Sequence, residues 1–204
     1  MQQTRREILD CIKLNGSMSI DQLGEELGVM PVTVRAHVNI LERDHLLKGS
    51  EHRTGRAGRP SRVYSLTEDA QDLFPNSYDN LATSILDNVK ELQGKEAAFK
   101  VVQKTGEDMA AVHAKRLQSK DMDSRVEEAT RILNENGCLA TWKKKGGKYV
   151  VTAHNCPYLH VAEHNPEICH MEVAFLEKAL KTEVNLVDSV VGGNTNCVFV
   201  IDPR

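Results

Sequence analysis

Between residues 19 and 31 the chain carries three helix-boundary signals in quick succession, and they restrict what its first third can fold into. Ser19-Ile20-Asp21-Gln22 places a hydroxyl at a helix start and a glutamine three positions on, the pattern of a capping box. Gly28 can take the left-handed turn that ends a helix. Pro31 suits the first turn of the next helix, where its missing N–H costs nothing. The spacing predicts two short helices joined by a tight turn, with Ile20, Leu23 and Leu27 inward on the first and Val34, Val38 and Leu41 inward on the second. Upstream, Ile8, Leu9, Ile12 and Leu14 predict a one-sided helix over 4–14, ended by Asn15-Gly16. Three helices in this order fit helix-turn-helix geometry.

The outer face of the third helix presents Val32, Arg35, Ala36, Asn39 and Arg43, flanked by Thr33 and His37. Beyond it, Leu46-Leu47-Lys48 reads as a short strand and Arg62-Val63-Tyr64-Ser65-Leu66 as a returning one. The intervening Arg/Gly tract, with Arg53, Arg56 and Arg59, cannot pack a core. It reads as the tip of a wing whose arginines, with Arg62, neutralise phosphates or enter a minor groove, or else as a solvated loop. Charge separates these. Residues 35–62 hold seven Lys/Arg against three Asp/Glu, in a chain whose net charge is −3. Positive charge is therefore concentrated where a surface for double-stranded operator DNA needs it.

The middle is helical. A short helix opens at Thr67 and ends near Pro75. Tyr78, Leu81, Ile85, Val89 and Leu92 then recur at helical spacing beside Leu86, and Phe99, Val102, Met109, Val112 and Leu117 continue it over 96–118. Such a stripe serves as core or as the seam of a homodimer. No nucleotide loop or catalytic constellation appears, so an enzyme is not expected. No apolar run approaches the roughly 18 residues needed to cross a bilayer. The start of the chain does not read as a signal peptide, and a cytoplasmic setting with reduced thiols is expected.

The last third predicts a helix over 124–136, strands over 138–142 and 148–154 around Gly146-Gly147, a helix from Pro166 with Ile168, Val173, Leu176 and Leu180 inward, and strands over 184–190 and 196–201. Its cysteines fall at element junctions. His154 and Cys156, two apart at a strand end, can share a face. Cys169 falls in a first helical turn, where the helix dipole favours thiolate. Cys197 opens the last strand. Three sulfurs from three elements can converge on one metal, whereas a buried, inert set is the alternative. His154 is favoured as a fourth ligand and Cys138 is the runner-up. Cys138 would lie near Thr152 if the hairpin turn is centred near residue 145. His37 and His45 read as structural or solvated, as do His160, His164 and His170. Cys11 reads as packing.

The segments Thr33-Val34-Arg35-Ala36-His37-Val38, Gly55-Arg56-Ala57-Gly58-Arg59-Pro60, Asn155-Cys156-Pro157 and Pro166-Glu167-Ile168-Cys169 resemble those of SufR, a family of iron–sulfur-sensing repressors within the ArsR/DeoR-like winged-helix regulators. The resemblance covers nearly the whole chain. It implies a homodimer that binds a [4Fe–4S] cluster in each subunit and represses assembly genes while clusters are plentiful. The C-x12-C-x13-C-x14-C spacing of the family's cyanobacterial members keeps only its first gap here, as Cys156 and Cys169, and other members carry only these three cysteines. The third position falls at Glu183, and Cys197 stands one residue short of the fourth. A Zn²⁺ site of three cysteines and a histidine, or a small effector, is the alternative to the cluster. The expected fold class is α+β: an N-terminal winged helix-turn-helix over 1–74, a helical dimerisation segment over 75–122 and a small α+β sensor domain over 123–204.

Overall fold

The structure, a computed structural model, describes residues 2–52 and 61–203. It divides into two compact units, Met1–Asn76 and Ser77–Arg204.

In the first unit the local signals act as read. Helix α1 (Gln3–Asn15) ends at Gly16, and α2 (Ile20–Leu27) starts at Ser19. The Ser19 hydroxyl accepts from Gln22 N–H at 3.2 Å, and the Gln22 side chain accepts from Ser19 N–H at 2.8 Å. Gly28 turns left-handed at φ 63°, and Pro31 opens α3 (Pro31–Arg43). Strand β1 (Met18–Ser19) is two residues long and carries no pattern that a sequence reading can detect. It pairs with β3 (Ser61–Leu66), which also pairs with β2 (Leu47–His52), giving the antiparallel order β1-β3-β2. Ile8, Leu9, Ile12, Leu23, Val34, Val38, Leu41, Leu47 and Tyr64 form the core. Leu14, expected inward, is 86% exposed. Two residues past Ile12 is 200° around a helix, so it points away from the buried face. The short helix expected after Thr67 is a 3-10 turn over Asp69–Leu73.

In the second unit α4 (Tyr78–Gln93) and α5 (Lys95–Val112) meet at Gly94, followed by α6 (Met122–Glu135). The helix expected over 96–118 stops at Val112, which is exposed, and Leu117 is buried beyond it. Strands β4 (Ala140–Lys145) and β5 (Lys148–Ala153) form a hairpin on Gly146-Gly147. Both glycines have positive φ, 58° and 81°, which the tightest hairpin turns require. After β5 come α7 (Leu159–His164), a 3-10 turn at Pro166–Ile168 and α8 (Cys169–Leu180). The expected helix start at Pro166 is therefore that turn, and α8 proper begins at Cys169. Strands β6 (Val184–Asp188) and β7 (Cys197–Ile201) complete an antiparallel sheet of order β4-β5-β7-β6.

Helix α8 is the centre of this unit. Phe175, Leu176 and Leu180 join Ile132 and Leu133 of α6 and Val151, Phe199 and Ile201 of the sheet in one core. Met171 packs separately with Leu86, Val102 and Val161. A side chain at Gly106 of α5 would collide with the Met171 carbonyl, so glycine there allows the two helices to approach. Buried residues on so much of α8's circumference leave few directions in which its first turn can face solvent.

Candidate DNA-reading surface and cysteine site

Helix α3 buries Val34, Val38 and Leu41 and leaves Val32, Thr33, Arg35, Ala36, Asn39 and Arg43 exposed. These are the residues that sequence periodicity assigned to its outer face. His37 is half-buried, with a shielded Nδ1 that has no hydrogen-bond partner among the described residues. Its ring thus belongs partly to the helix's packing. Met30, at the helix entrance, is exposed as well and was not singled out from the sequence. On the wing, Arg62 donates to Glu42 at 2.8 Å and lies over the Tyr64 ring at 5.5 Å. Arg43 pairs with Asp44 at 3.4 Å. Arg53, Arg56 and Arg59 lie outside the described residues.

The second unit brings four thiols into one electrostatic neighbourhood. Cys138 and Cys197 are buried, whereas Cys156 and Cys169 are half-buried. Burial raises the pKa of all four, and each is raised further by the carboxyl of Glu172. Cys169 also feels Cys197 and Cys156, and Cys138 feels the same two. Cys169 is pushed up to about 11. Its place in the first turn of α8 is expected to favour thiolate, yet desolvation, the largest influence, raises it.

At three of the thiols a backbone N–H favours the thiolate and so partly opposes burial. Tyr158 N–H acts on Cys156, Val190 N–H on Cys197, and the residue's own N–H on Cys169. Cys138 differs. Its thiol donates to Glu172 Oε1 at 3.3 Å. Its position follows from the hairpin. With the turn at 146–147, Thr141 rather than Cys138 lies opposite Thr152. Asn155 N–H then donates to the Cys138 carbonyl at 3.0 Å, which puts Cys138 beside Cys156.

His154 is exposed, and its two ring nitrogens face Asn196 Oδ1 at 3.0 Å and Thr141 Oγ1 at 3.3 Å. Strand β5 ends at Ala153, so the two-residue face rule does not extend to His154 and Cys156. Among the described residues no three His, Cys, Asp or Glu side chains stand in a group that could hold a metal ion as placed. The donor chemistry nonetheless suits one. Soft thiolates are the common ligands of zinc and iron–sulfur groups, and N–H groups directed at sulfur are among the features that tune such sites.

Glu172 was missed from the sequence. It is 6% exposed and sits one turn after Cys169. Burial raises its pKa, and the Cys138 hydrogen bond opposes that rise. Cys11 packs against the core of the first unit, as expected.

A family model described as winged helix-turn-helix DNA-binding matches residues 1–48. No curated protein matches the chain. The chain therefore carries an N-terminal winged helix-turn-helix DNA-binding domain. No helix among the described residues is long and apolar enough to cross a membrane.

The raised thiols predict an alkaline weakness of the metal-free protein. A group whose folded pKa exceeds its unfolded value stabilises the fold fully below the unfolded value and loses that contribution as pH rises through the folded one. For Cys169 the window runs from the ordinary 9.0 to about 11. The Tm should fall across it, and Cys169→Ala should fall less steeply. Parallel melting curves for the two proteins would show that this thiol is not desolvated in the fold.

Proposed function

We propose that this protein is a DNA-binding transcriptional regulator, a repressor of iron–sulfur assembly genes, whose operator affinity is set by a [4Fe–4S] cluster bound through Cys156, Cys169 and Cys197. The observation that carries the reading is the placement of these thiols: Cys197 pairs across the sheet with Ala153, three residues before Cys156, and Cys169 opens α8, whose buried Glu172 accepts from the Cys138 thiol beside Cys156. The sequence resemblance to the SufR family points the same way. When bound, the cluster supplies a redox- and iron-sensitive crosslink among those elements. The chain's own part is to hold thiolates in an apolar setting with N–H groups on their sulfurs, releasing protons as the ligands bind.

No three donors stand in ligating arrangement as placed among the described residues, so loading must draw the segment after β5, the start of α8 and the start of β7 together. In this reading the metal-free and loaded forms of the unit differ in structure, which is what a sensor requires. Apo and loaded protein should then differ in affinity for one operator at fixed salt, and single Ser variants of the three cysteines should lose most iron and sulfide while Cys11→Ser keeps them. Equal affinities, with loading verified by iron and sulfide analysis, would remove the sensing role. Loading with zinc alone would favour a structural site.

For DNA reading we assign base contacts to Arg35 and Asn39, with Val32, Thr33, Ala36, His37 and Arg43 around them and Arg53, Arg56, Arg59 and Arg62 on phosphates or in the minor groove. Arginine and asparagine at groove edges discriminate bases by about 1–3 kcal/mol each. Arg35→Ala should therefore lose roughly ten- to a hundredfold in operator affinity, more than it loses on random DNA. A footprinting titration that leaves its affinity unchanged would show that another face reads the sequence.

The homodimer is assigned to α4. Leu86 faces the unit's own packing, whereas Tyr78, Leu81, Ile85 and Leu92 stay exposed along one side. Their steps of three, four and seven residues are those of a coiled-coil seam. Ile85→Asp with Leu81→Asp should give a monomer by sedimentation, with weakened binding to a two-half-site operator because the sites are no longer linked. A wild-type protein already monomeric at micromolar concentration rules this seam out.

A further inference from the structure

We propose that Glu172 supplies an oxygen donor to the metal group held by Cys156, Cys169 and Cys197, making the site three thiolates and one carboxylate, with Cys138 positioning that carboxylate. The inference rests on the proposed three-cysteine site and names its missing fourth ligand.

Three observations carry it. Glu172 is a carboxyl almost wholly inside the unit, yet no Lys, Arg or His pairs with it among the described residues. An uncompensated buried carboxyl is costly, and such groups are normally paired or coordinate metals. Next, it lies three residues after Cys169 on α8, so the two project from one face of the helix. Finally, its hydrogen-bond partner Cys138 is tied to the sheet end that carries the other two thiols: Asn155 N–H donates to the Cys138 carbonyl next to Cys156, and Cys197 pairs with Ala153 at the end of β5.

Cys138 takes a different part. Its S–H donates to one carboxyl oxygen, Oε1. A carboxylate can accept that bond on one side and bind a metal on the other, the usual arrangement in which an outer partner orients a ligand. Cys138 thereby fixes Glu172 without binding the metal. His154, with both ring nitrogens facing Asn196 and Thr141, has neither the burial nor the free nitrogen that the role needs.

The test is anaerobic reconstitution of the full chain with Fe²⁺ and sulfide, read by iron and sulfide content and by the visible and EPR spectra. Wild-type protein should load and Cys169→Ser should not, which checks the site itself. Glu172→Gln should lose most of its iron. Glu172→Cys should load as fully as wild type but with an altered spectrum, because an oxygen ligand has become a sulfur. Cys138→Ala should load poorly with a wild-type spectrum, and Cys138→Ser, which keeps a donor, should restore loading.

If Glu172→Gln loads like wild type with an unchanged spectrum while Cys169→Ser stays empty, Glu172 is not a ligand and the three-cysteine site survives. If wild type and Cys169→Ser behave alike, the site reading fails and takes this inference with it. Should Glu172→Gln not fold by circular dichroism, Glu172→Cys decides alone: full loading with a shifted spectrum supports ligation, and an unchanged spectrum or no loading overturns it.

Discussion

The organisation of the second unit depends on enclosing polarisable and ionisable groups at the start of α8 inside an otherwise apolar core. Two effects compete there. A helix N-terminus stabilises negative charge by about 0.3–1 kcal/mol, reaching about 2 in favourable partly buried settings. Full desolvation moves a titratable group by as much as roughly 3–5 pKa units, each worth about 1.4 kcal/mol. Burial should therefore win wherever water is largely excluded, and at Cys169 desolvation is the largest influence and raises the thiol's pKa. The result is a set of thiols with raised pKa, together with a buried carboxyl that accepts from a thiol.

What could be read from the sequence is sorted by how local its cause is. The capping box at Ser19, the left-handed Gly28 and Pro31 at a helix start are decided within four residues, and each appears where expected. The outer face of α3 follows from helical periodicity alone. Strand β1 depends on a partner more than 40 positions away and has no signature of its own. Helix α7 was hidden in a stretch rich in His, Asn and Glu that reads as loop. The Cys138 register turned on whether the hairpin reversed at one glycine pair or just before it, a shift that pattern cannot resolve. Glu172 was invisible for a different reason. A glutamate in an amphipathic helix ordinarily marks the solvated side, and here tertiary packing closes over it.

The first unit manages its charge at the surface. Arg62 is held by Glu42 and by the Tyr64 ring, and Gly49 leaves the space that the guanidinium occupies. An exposed pair of this kind is worth about 0–1 kcal/mol. It is strong enough to orient the side chain and weak enough for a phosphate to compete for it. Its location ties α3 to β3, so that helix and the base of the wing are braced by the same contact. In the proposed reading, the exposed apolar Val32 and Met30 beside the polar face would meet a thymine methyl, a contact polar residues do not supply.

In the proposed reading, the separation of the donors in the metal-free fold is what allows sensing. A preformed site would bind metal without changing the protein, and a ligand shifts an equilibrium only by the difference in its affinity for the two states. Thiols that are neutral and not yet in ligating arrangement give the loaded state something to differ in. Assembly must deprotonate them, draw three elements together and engage the carboxyl. The free energy of binding is then spent partly on rearrangement, which lowers affinity but raises the difference between states. A tenfold change in operator affinity needs only about 1.4 kcal/mol of that difference to reach the DNA-binding surface. Structural metal sites release about 10–16 kcal/mol on binding, so a small transmitted fraction suffices. The limiting quantity in such a device is how rigidly the second unit conveys its rearrangement, and the seam proposed along α4 would be the element that conveys it.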